Sequence, residues 1–108
     1  MIYKLCFYVP ESHLESVKMA LFTAGAGRIG EYDHCCWQTL GVGQFRPSSE
    51  SSPYLGNKGE ISQVDEYSVE MICKKECVKA VVKALIDSHP YETPAYALWP
   101  ILQDLNDL

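Results

Sequence analysis

The stretch His89–Tyr96, which reads HPYETPAY, joins a helical pattern to a strand-like one and organises the rest of the chain. Its two prolines lie four residues apart. Proline lacks a backbone donor and disfavours helical geometry in the residue before it. His89 therefore has to end the preceding helix, and Thr93 has to be extended or in a turn. The result is a stiff connector that holds an imidazole, two phenols and a carboxylate in fixed relation, which suggests a site or an interface.

On both sides of this connector the apolar spacing is regular. The apolar residues within Lys75–Ser88 recur at helical spacing, which predicts a helix. Its core-facing side chains should be those of Val78, Val81, Val82, Leu85 and Ile86. Residues Ala95–Trp99 form a short strand pattern that Trp99-Pro100 should end. Upstream, Glu66–Cys73 alternates strictly, which predicts a half-buried strand whose inner residues are Tyr67, Val69, Met71 and Cys73.

The first half of the chain predicts another strand and helix. Residues Ile2–Val9 are apolar on both faces, as in a central strand. Pro10 closes that strand, and Leu14, Val17, Leu21 and Ala24 then recur at helical spacing. The glycine-rich stretch Gly25–Gly30 is typical of a helix C-cap followed by a tight turn. It spells GxGxxG, but a helix precedes it, so it lacks the geometry of a dinucleotide site.

A hairpin and a long loop are expected next. Residues Glu31–Thr39 have period two and predict a strand. Leu40–Gly43 should break that strand, with Gln44–Arg46 as the return arm. Ser48–Gly59 is rich in Ser, Pro, Gly and Asn and predicts a long loop of a kind that is often functional.

The element order βαββαβ predicts an α+β fold of the ferredoxin-like, split βαβ type. Two helices should cover one face of an antiparallel sheet, with the extra hairpin and the long loop added. The 108 residues are enough for one core, so we expect a single domain over residues 1–108.

Charge and composition exclude several classes of partner. Nine Lys and Arg against fourteen Asp and Glu give a net charge of -5, which lacks the basic surface that nucleic acids require. No apolar run is long enough to span a bilayer, and the N-terminus lacks the pattern of a signal peptide, so we expect no membrane association and a cytoplasmic protein. Five cysteines, an odd number, are expected to be reduced there.

Four ordered motifs, at residues 25–35, 41–47, 53–56 and 89–96, together resemble one known pattern. They are similar to the insertion domain of the Nif-three-like family (NGG-one-interacting factor three), here as a stand-alone version. That domain is similar in fold to the PII and CutA proteins, which implies a homo-oligomer, a trimer before a dimer. The family's dinuclear metal centre lies in two flanking lobes that this chain lacks, so none of those ligands carries over. Cys36-Trp37 also departs from the family's usual small polar residue and Phe.

A metal site is one hypothesis for the polar residues. If Glu31–Thr39 is a strand, His34 and Cys36 share one face, and His89 becomes a third ligand where the connector folds over that strand. Three converging nitrogen or sulfur ligands suit a divalent transition metal. The alternative is that these side chains pack in the core or at an interface.

A ligand or interface site at the connector is the second hypothesis. We expect the connector to approach the glycine turn and the His34 strand, so that the site contains His89, Tyr91, Glu92, Tyr96, Gly25, Gly27 and Gly30. The alternative is a hydrogen-bonded turn in which His89 and Glu92 only lock the joint.

The sequence therefore predicts a non-enzymatic binding or regulatory module. It should assemble with itself through its uncovered sheet face and hairpin, and a small molecule or a metal ion is its candidate ligand. The alternative is a small metal-dependent enzyme or metal-handling protein that uses His34, Cys36 and His89.

Overall fold

The computed structural model describes residues 1–108 and contains four strands and two helices. In chain order these are β1 (Ile2–Val9), α1 (Glu11–Thr23), β2 (Trp37–Phe45), β3 (Ser62–Lys74), α2 (Val78–Ser88) and β4 (Tyr96–Ile101). Single 3-10 turns span Lys75–Cys77, directly before α2, and Leu105–Asp107.

The four strands form one antiparallel sheet in the order β2-β3-β1-β4. Strand β1 lies in the centre, where Phe7 pairs with Val69 on one side and Tyr96 on the other. This is the central position predicted for the strand, and its residues Leu5, Phe7 and Val9 are fully buried. The predicted α+β, ferredoxin-like fold is confirmed.

The core lies between the two helices and one face of the sheet. Its fully buried side chains come from β1, β3 and both helices and are Leu5, Phe7, Val9, Val17, Leu21, Val69, Val81 and Leu85. The predicted inner face of β3 is confirmed by the buried Val69, Met71 and Cys73. The prediction for Ile86 is wrong: its side chain is 50% exposed. It lies about 100° around the helix from the buried Leu85, outside the stripe that faces the core.

The predicted break at Leu40–Gly43 is wrong. Strand β2 runs straight through these residues and pairs with β3 from Trp37↔Glu70 to Phe45↔Ser62. Glycines 41 and 43 thus lie inside an edge strand, and the hairpin is formed by β2, β3 and the loop of residues 46–61 between them. Most of the predicted strand Glu31–Thr39 is irregular, because β2 begins only at Trp37.

The far half of the β2–β3 hairpin projects from the sheet. Strand β1 ends with the pair Val9↔Tyr67, so Ser62–Glu66 pairs only with Gly41–Phe45. These five pairs, here called the β2–β3 arm, extend by about 17 Å. They make the chain elongated: its longest axis is 49 Å and its radius of gyration is 15.2 Å, against about 13 Å for a compact chain of this length.

Strand β4 forms the opposite edge of the sheet and continues past Trp99 to Ile101, so the predicted stop at Trp99-Pro100 is also wrong. Pro100 is tolerated because β4 has a neighbour on only one side. Neither helix has the length and apolar character that crossing a membrane requires.

Candidate functional site

The two helices end at opposite ends of the sheet. Strands β1 and β3 are antiparallel, with Ile2 opposite Lys74, so α2 starts beside the end of α1. A Cβ added to Gly25, just after α1, would lie 2.8 Å from the Sγ of Cys77, just before α2. The connector follows α2 to the other end, where the side chain of His89 meets Tyr8. Within one chain, the connector therefore does not approach the Gly25–Gly30 turn.

The glycine turn is a helix end closed by its own backbone. The amides of Gly25 and Ala26 donate to the carbonyls of Phe22 and Leu21, each at 3.1 Å, as in a Schellman motif. Gly25 has a φ of 115°, which only glycine adopts without strain. The turn is also held to β3, because the Gly27 amide donates to the Ile72 carbonyl at 2.8 Å. These glycines are explained by the turn.

The three predicted metal ligands are not brought together. His34 lies in a bend with a φ of 55°, and its ring is 4.9 Å from that of Phe22, near the end of α1. Cys36 precedes β2 and packs against the core, whereas His89 lies at the other end of the sheet. No group of three or more His, Cys, Asp or Glu side chains is placed to hold a metal ion. Within one chain the three side chains stay apart because His89 lies at the opposite end of the sheet and the segment around His34 is not a regular strand.

His89 locks the connector to the sheet. Its Nε2 lies 2.6 Å from the Tyr8 carbonyl, which can only accept, so Nε2 carries the proton. Its Nδ1 then accepts from the Tyr91 amide at 3.1 Å. The side chain is only 7% exposed, and this burial lowers the pKa of His89, which favours the neutral ring. Both ring nitrogens are thus used within the chain.

Next to this lock lies a cavity of about 260 Å³, here called the connector cavity. It is bordered by the end of β1, the β2–β3 arm, the long loop and the connector. Its lining residues are Tyr8, Gln44, Phe45, Arg46, Pro47, Ser51, Pro53, Tyr54, Leu55, Glu66, Tyr91, Glu92, Thr93 and Ala95. Of the residues expected at a connector site, Tyr91 and Glu92 line it. Tyr96 instead lies in β4 opposite Phe7.

Tyr91 and Glu92 tie the connector to the arm and the loop. The Tyr91 hydroxyl donates to Oε2 of Glu66 at 3.1 Å. Burial and the nearby Glu66 carboxylate raise the pKa of Tyr91, so the phenol keeps its proton. Oε1 of Glu92 accepts from the Ser52 amide at 2.9 Å, and the rings of Tyr54 and Tyr91 lie 6.2 Å apart. The polar groups around the cavity are therefore held in place.

Gly43 makes room for the Glu66 carboxylate. A Cβ at position 43 would lie 2.0 Å from Oε1 of Glu66, because that side chain lies across the glycine. The sequence alone did not point to Glu66, Tyr8 or Arg46 as cavity residues. A glycine on an edge strand near a carboxylate on its partner strand is the signal that could have found Glu66.

Several known proteins are similar to this chain in sequence or in fold. No family model matches it. A protein of Bacillus subtilis (strain 168) named GTP cyclohydrolase 1 type 2 homolog is 45% identical over 100 residues, which cover 93% of this chain and 27% of that protein. A crystal structure of a Bacillus cereus protein related to NIF3 matches with a TM-score of 0.80 and 36% identity, over 93% of this chain and 25% of that one. The chain is homologous to one segment of the NIF3-related proteins.

This finding confirms the resemblance to the Nif-three-like family, and it limits what can be transferred. The chain spans about a quarter of the length of these NIF3-related proteins. The structure of the periplasmic divalent cation tolerance protein CutA from Archaeoglobus fulgidus matches 99% of this chain and 90% of its own, with a TM-score of 0.70. At 17% identity that match shows a shared fold alone.

Proposed function

We propose that this chain is a non-enzymatic binding or regulatory module of the cytoplasm. It assembles with copies of itself, as a trimer before a dimer, and binds a small ligand in the connector cavity. The activity named for the Bacillus subtilis relative is not extended to this chain, which covers 27% of that protein.

The uncovered face of the sheet supports self-assembly, and its exposed tryptophans carry the proposal. Both helices pack on one face, which leaves Trp37 62% exposed and Trp99 39% exposed on the other. Between them Lys4 forms an ion pair of 2.9 Å with Glu70, and its Nζ lies 5.8 Å from the centre of the Trp99 ring. Large exposed apolar side chains are typical of protein interfaces, in which tryptophan is enriched.

The β2–β3 arm supplies a second, different surface. Val42 in the arm and Leu40 directly before it point to the other face of β2 and are 68% and 60% exposed. A ribbon of two strands is only marginally stable in water unless something packs against it. A neighbouring copy of the chain would supply that packing.

The difference between the two surfaces favours a ring. If the arm of one copy lies on the open sheet face of the next, the contact is head-to-tail. A head-to-tail contact gives a ring when the rotation between neighbouring copies closes, whereas a two-fold dimer uses the same surface patch on both copies. This is why we place a trimer before a dimer.

Sedimentation equilibrium at micromolar concentration tests the assembly. We expect a species of three times the 12.2 kDa chain mass. The variants Trp37→Lys and Val42→Asp should each give monomers, because each places a charge in one of the two surfaces. Met19→Lys is the matched control, since Met19 is 53% exposed on α1, which belongs to neither surface, and this variant should assemble normally. A wild-type protein that sediments at 12.2 kDa would contradict the proposal.

Metal analysis of protein purified without a His-tag tests the alternative function. The proposed module should contain no stoichiometric transition metal. A stoichiometric metal that is lost in His34→Ala would favour the metal-handling or metal-dependent function with His34, Cys36 and His89, whose ligands would then have to come from more than one copy.

A further inference from the structure

We infer that the connector cavity binds a small aromatic cation, namely a flat ring that carries an amidine, guanidine or amine group. This inference rests on the proposed binding role of the cavity and specifies its ligand class. The cavity's shape, its aromatic walls and its unused carboxylate oxygens lead to this class.

The walls of the cavity suit a flat ring. Four of its lining side chains are aromatic: Tyr8, Phe45, Tyr54 and Tyr91. The rings of Tyr54 and Tyr91 are inclined by 47° to each other. Aromatic faces attract cations and pack well against other rings. A volume of about 260 Å³ holds one substituted ring, and it lies below the range usual for drug-sized ligands.

Two carboxylates at the cavity favour a ligand with a positive charge. Glu66 accepts one hydrogen bond at Oε2 from Tyr91, and Glu92 accepts one at Oε1 from the Ser52 amide. Neither side chain forms an ion pair in this structure, and the second oxygen of each has no protein donor. A carboxylate accepts several hydrogen bonds, so these free oxygens favour a donor-rich, positively charged group.

Arg46 is the lining side chain that would favour an anionic ligand, so its charge has to be weighed against those of the two carboxylates. It is the only cationic side chain in the lining, it is solvent-exposed, and it forms no ion pair. An anionic ligand would bind at Arg46, whereas a cationic ligand would bind at Glu66 and Glu92. The two carboxylates outnumber the one guanidinium, and Glu66 is the less exposed of these charges, which favours the cation.

Glu66 is also the group that is fixed before any ligand arrives. Its carboxylate lies in the space above Gly43 and is held by the Tyr91 hydroxyl. A fixed acceptor costs less conformational entropy on binding than a mobile one.

Three probes of the same shape and different charge test the inference: benzamidine, benzamide and benzoate. Each is titrated into the isotope-labelled full chain, and backbone amide signals are followed by NMR. Benzamidine should shift the signals of Gln44, Ser51 and Ala95 at the cavity, with a Kd on the order of 1 mM, as expected for a small ligand. Benzamide should bind at least tenfold more weakly, because it lacks the charge.

Side-chain variants then identify the groups that bind. Glu66→Gln and Glu92→Gln should each weaken benzamidine about tenfold, as expected for losing a charge-assisted hydrogen bond. Arg46→Gln should leave the affinity unchanged or raise it. Glu50→Gln is the matched control, since Glu50 is an exposed carboxylate of the same loop outside the cavity. Amide spectra of each variant without a probe check that the fold is kept.

The possible failures are distinct. If benzamide binds as tightly as benzamidine, or benzoate binds more tightly and depends on Arg46, the cationic class is wrong, while a binding role for the cavity stands. If none of the three probes shifts the cavity signals, the cationic class and the binding part of the proposed function both fail. The assembly part is decided separately by sedimentation.

Discussion

The chain turns after each of the two helices, and the two turns are stabilised in different ways. After α1, the free carbonyls are capped by the backbone amides of Gly25 and Ala26, and the turn is packed closely by Phe22 and Cys77. After α2, the chain turns at His89, before Pro90, and is fixed by a side chain through both ring nitrogens.

This difference explains the polar side chains that line the connector cavity. A turn closed by glycine backbone is compact and needs no side chain to hold it. A turn closed by a side chain needs a wider connector, and here that connector places Tyr91 and Glu92 opposite the long loop. The backbone-closed end should therefore be important for stability, and the side-chain-closed end should be sensitive to pH and to ligands.

The largest expected effect is at the backbone-closed end. In Gly27→Ala the new methyl group would lie 2.8 Å from the Phe22 ring and 2.9 Å from the Cys35 carbonyl, at a residue whose φ is 79°. Steric strain and overpacking together should lower the free energy of unfolding by about 2–5 kcal/mol. Denaturant unfolding at fixed protein concentration measures this change.

Gly30→Ala is the matched control for that variant. Its φ is 56°, but nothing lies within 4 Å of the added methyl group. The strain of the left-handed backbone should therefore be the only cost of Gly30→Ala, and it should lower the free energy of unfolding by about 1–2 kcal/mol. Equal losses in the two variants would mean that the close packing around Gly27 is unimportant.

A smaller effect, dependent on pH, is expected at His89. In His89→Gln one of the two hydrogen bonds of the histidine ring is lost, which should lower the free energy of unfolding by about 1–3 kcal/mol at pH 7.5. Burial lowers the pKa of His89 in the folded protein below its ordinary 6.5, so the unfolded chain binds the extra proton more readily. The stabilisation contributed by the neutral His89 ring is complete above about pH 6.5 and is lost as the pH falls below that value.

The thermal midpoint measured from pH 7.5 to 5.0 tests this sign. The wild type should lose stability on acidification, and His89→Gln should lose less of it over the same range. His34→Gln, at a half-exposed histidine of the other end, should follow the wild type. A wild type that becomes more stable on acidification would show that His89 is not held as the neutral ring.

The smallest expected effect on stability is at Gly43. In Gly43→Ala the methyl group takes the place of the Glu66 carboxylate, which is a flexible side chain and can move. Loss of the hydrogen bond to Tyr91 is offset by the lower entropy cost of alanine in a strand, so the net change should be within about 1 kcal/mol. Benzamidine binding should nevertheless weaken, because Glu66 is displaced.

Gly41→Ala is the control, since its methyl group would meet nothing within 4 Å. It should be neutral or slightly stabilising and should bind benzamidine like the wild type. If both alanine variants bind the probe equally well, the position of Glu66 above Gly43 does not matter for the site.

Local patterns predicted most of the fold. Strand β1 was predicted with its observed bounds, Ile2–Val9, because its composition differs sharply from that of its neighbours. The inner face of β3 also followed from alternation. The expected break at Leu40–Gly43 failed because the two glycines there, the usual signal for a turn, lie within a strand; Gly43 makes room for a side chain of β3.

The lining of the connector cavity was predicted only in part, for a topological reason. Tyr91 and Glu92 were expected at a site because prolines fix them in the connector. Their neighbours across the cavity, such as Glu66 and Arg46, are distant in sequence, and no local pattern shows which loop reaches the connector. The proposed approach to the glycine turn also overlooked a consequence of antiparallel pairing: β3 runs opposite to β1, so the helices that follow them end at opposite ends of the sheet.

The pairing of β1 with β4 has a consequence for how this fold can be carried by a longer protein. Ile2 lies opposite Ile101, so the two ends of the fold leave the sheet side by side, about 5 Å apart. A unit with such adjacent ends can be spliced into a surface loop of another domain, which has to open by only one strand spacing. The relatives, of which this chain matches about a quarter, are long enough to hold such a unit in this way.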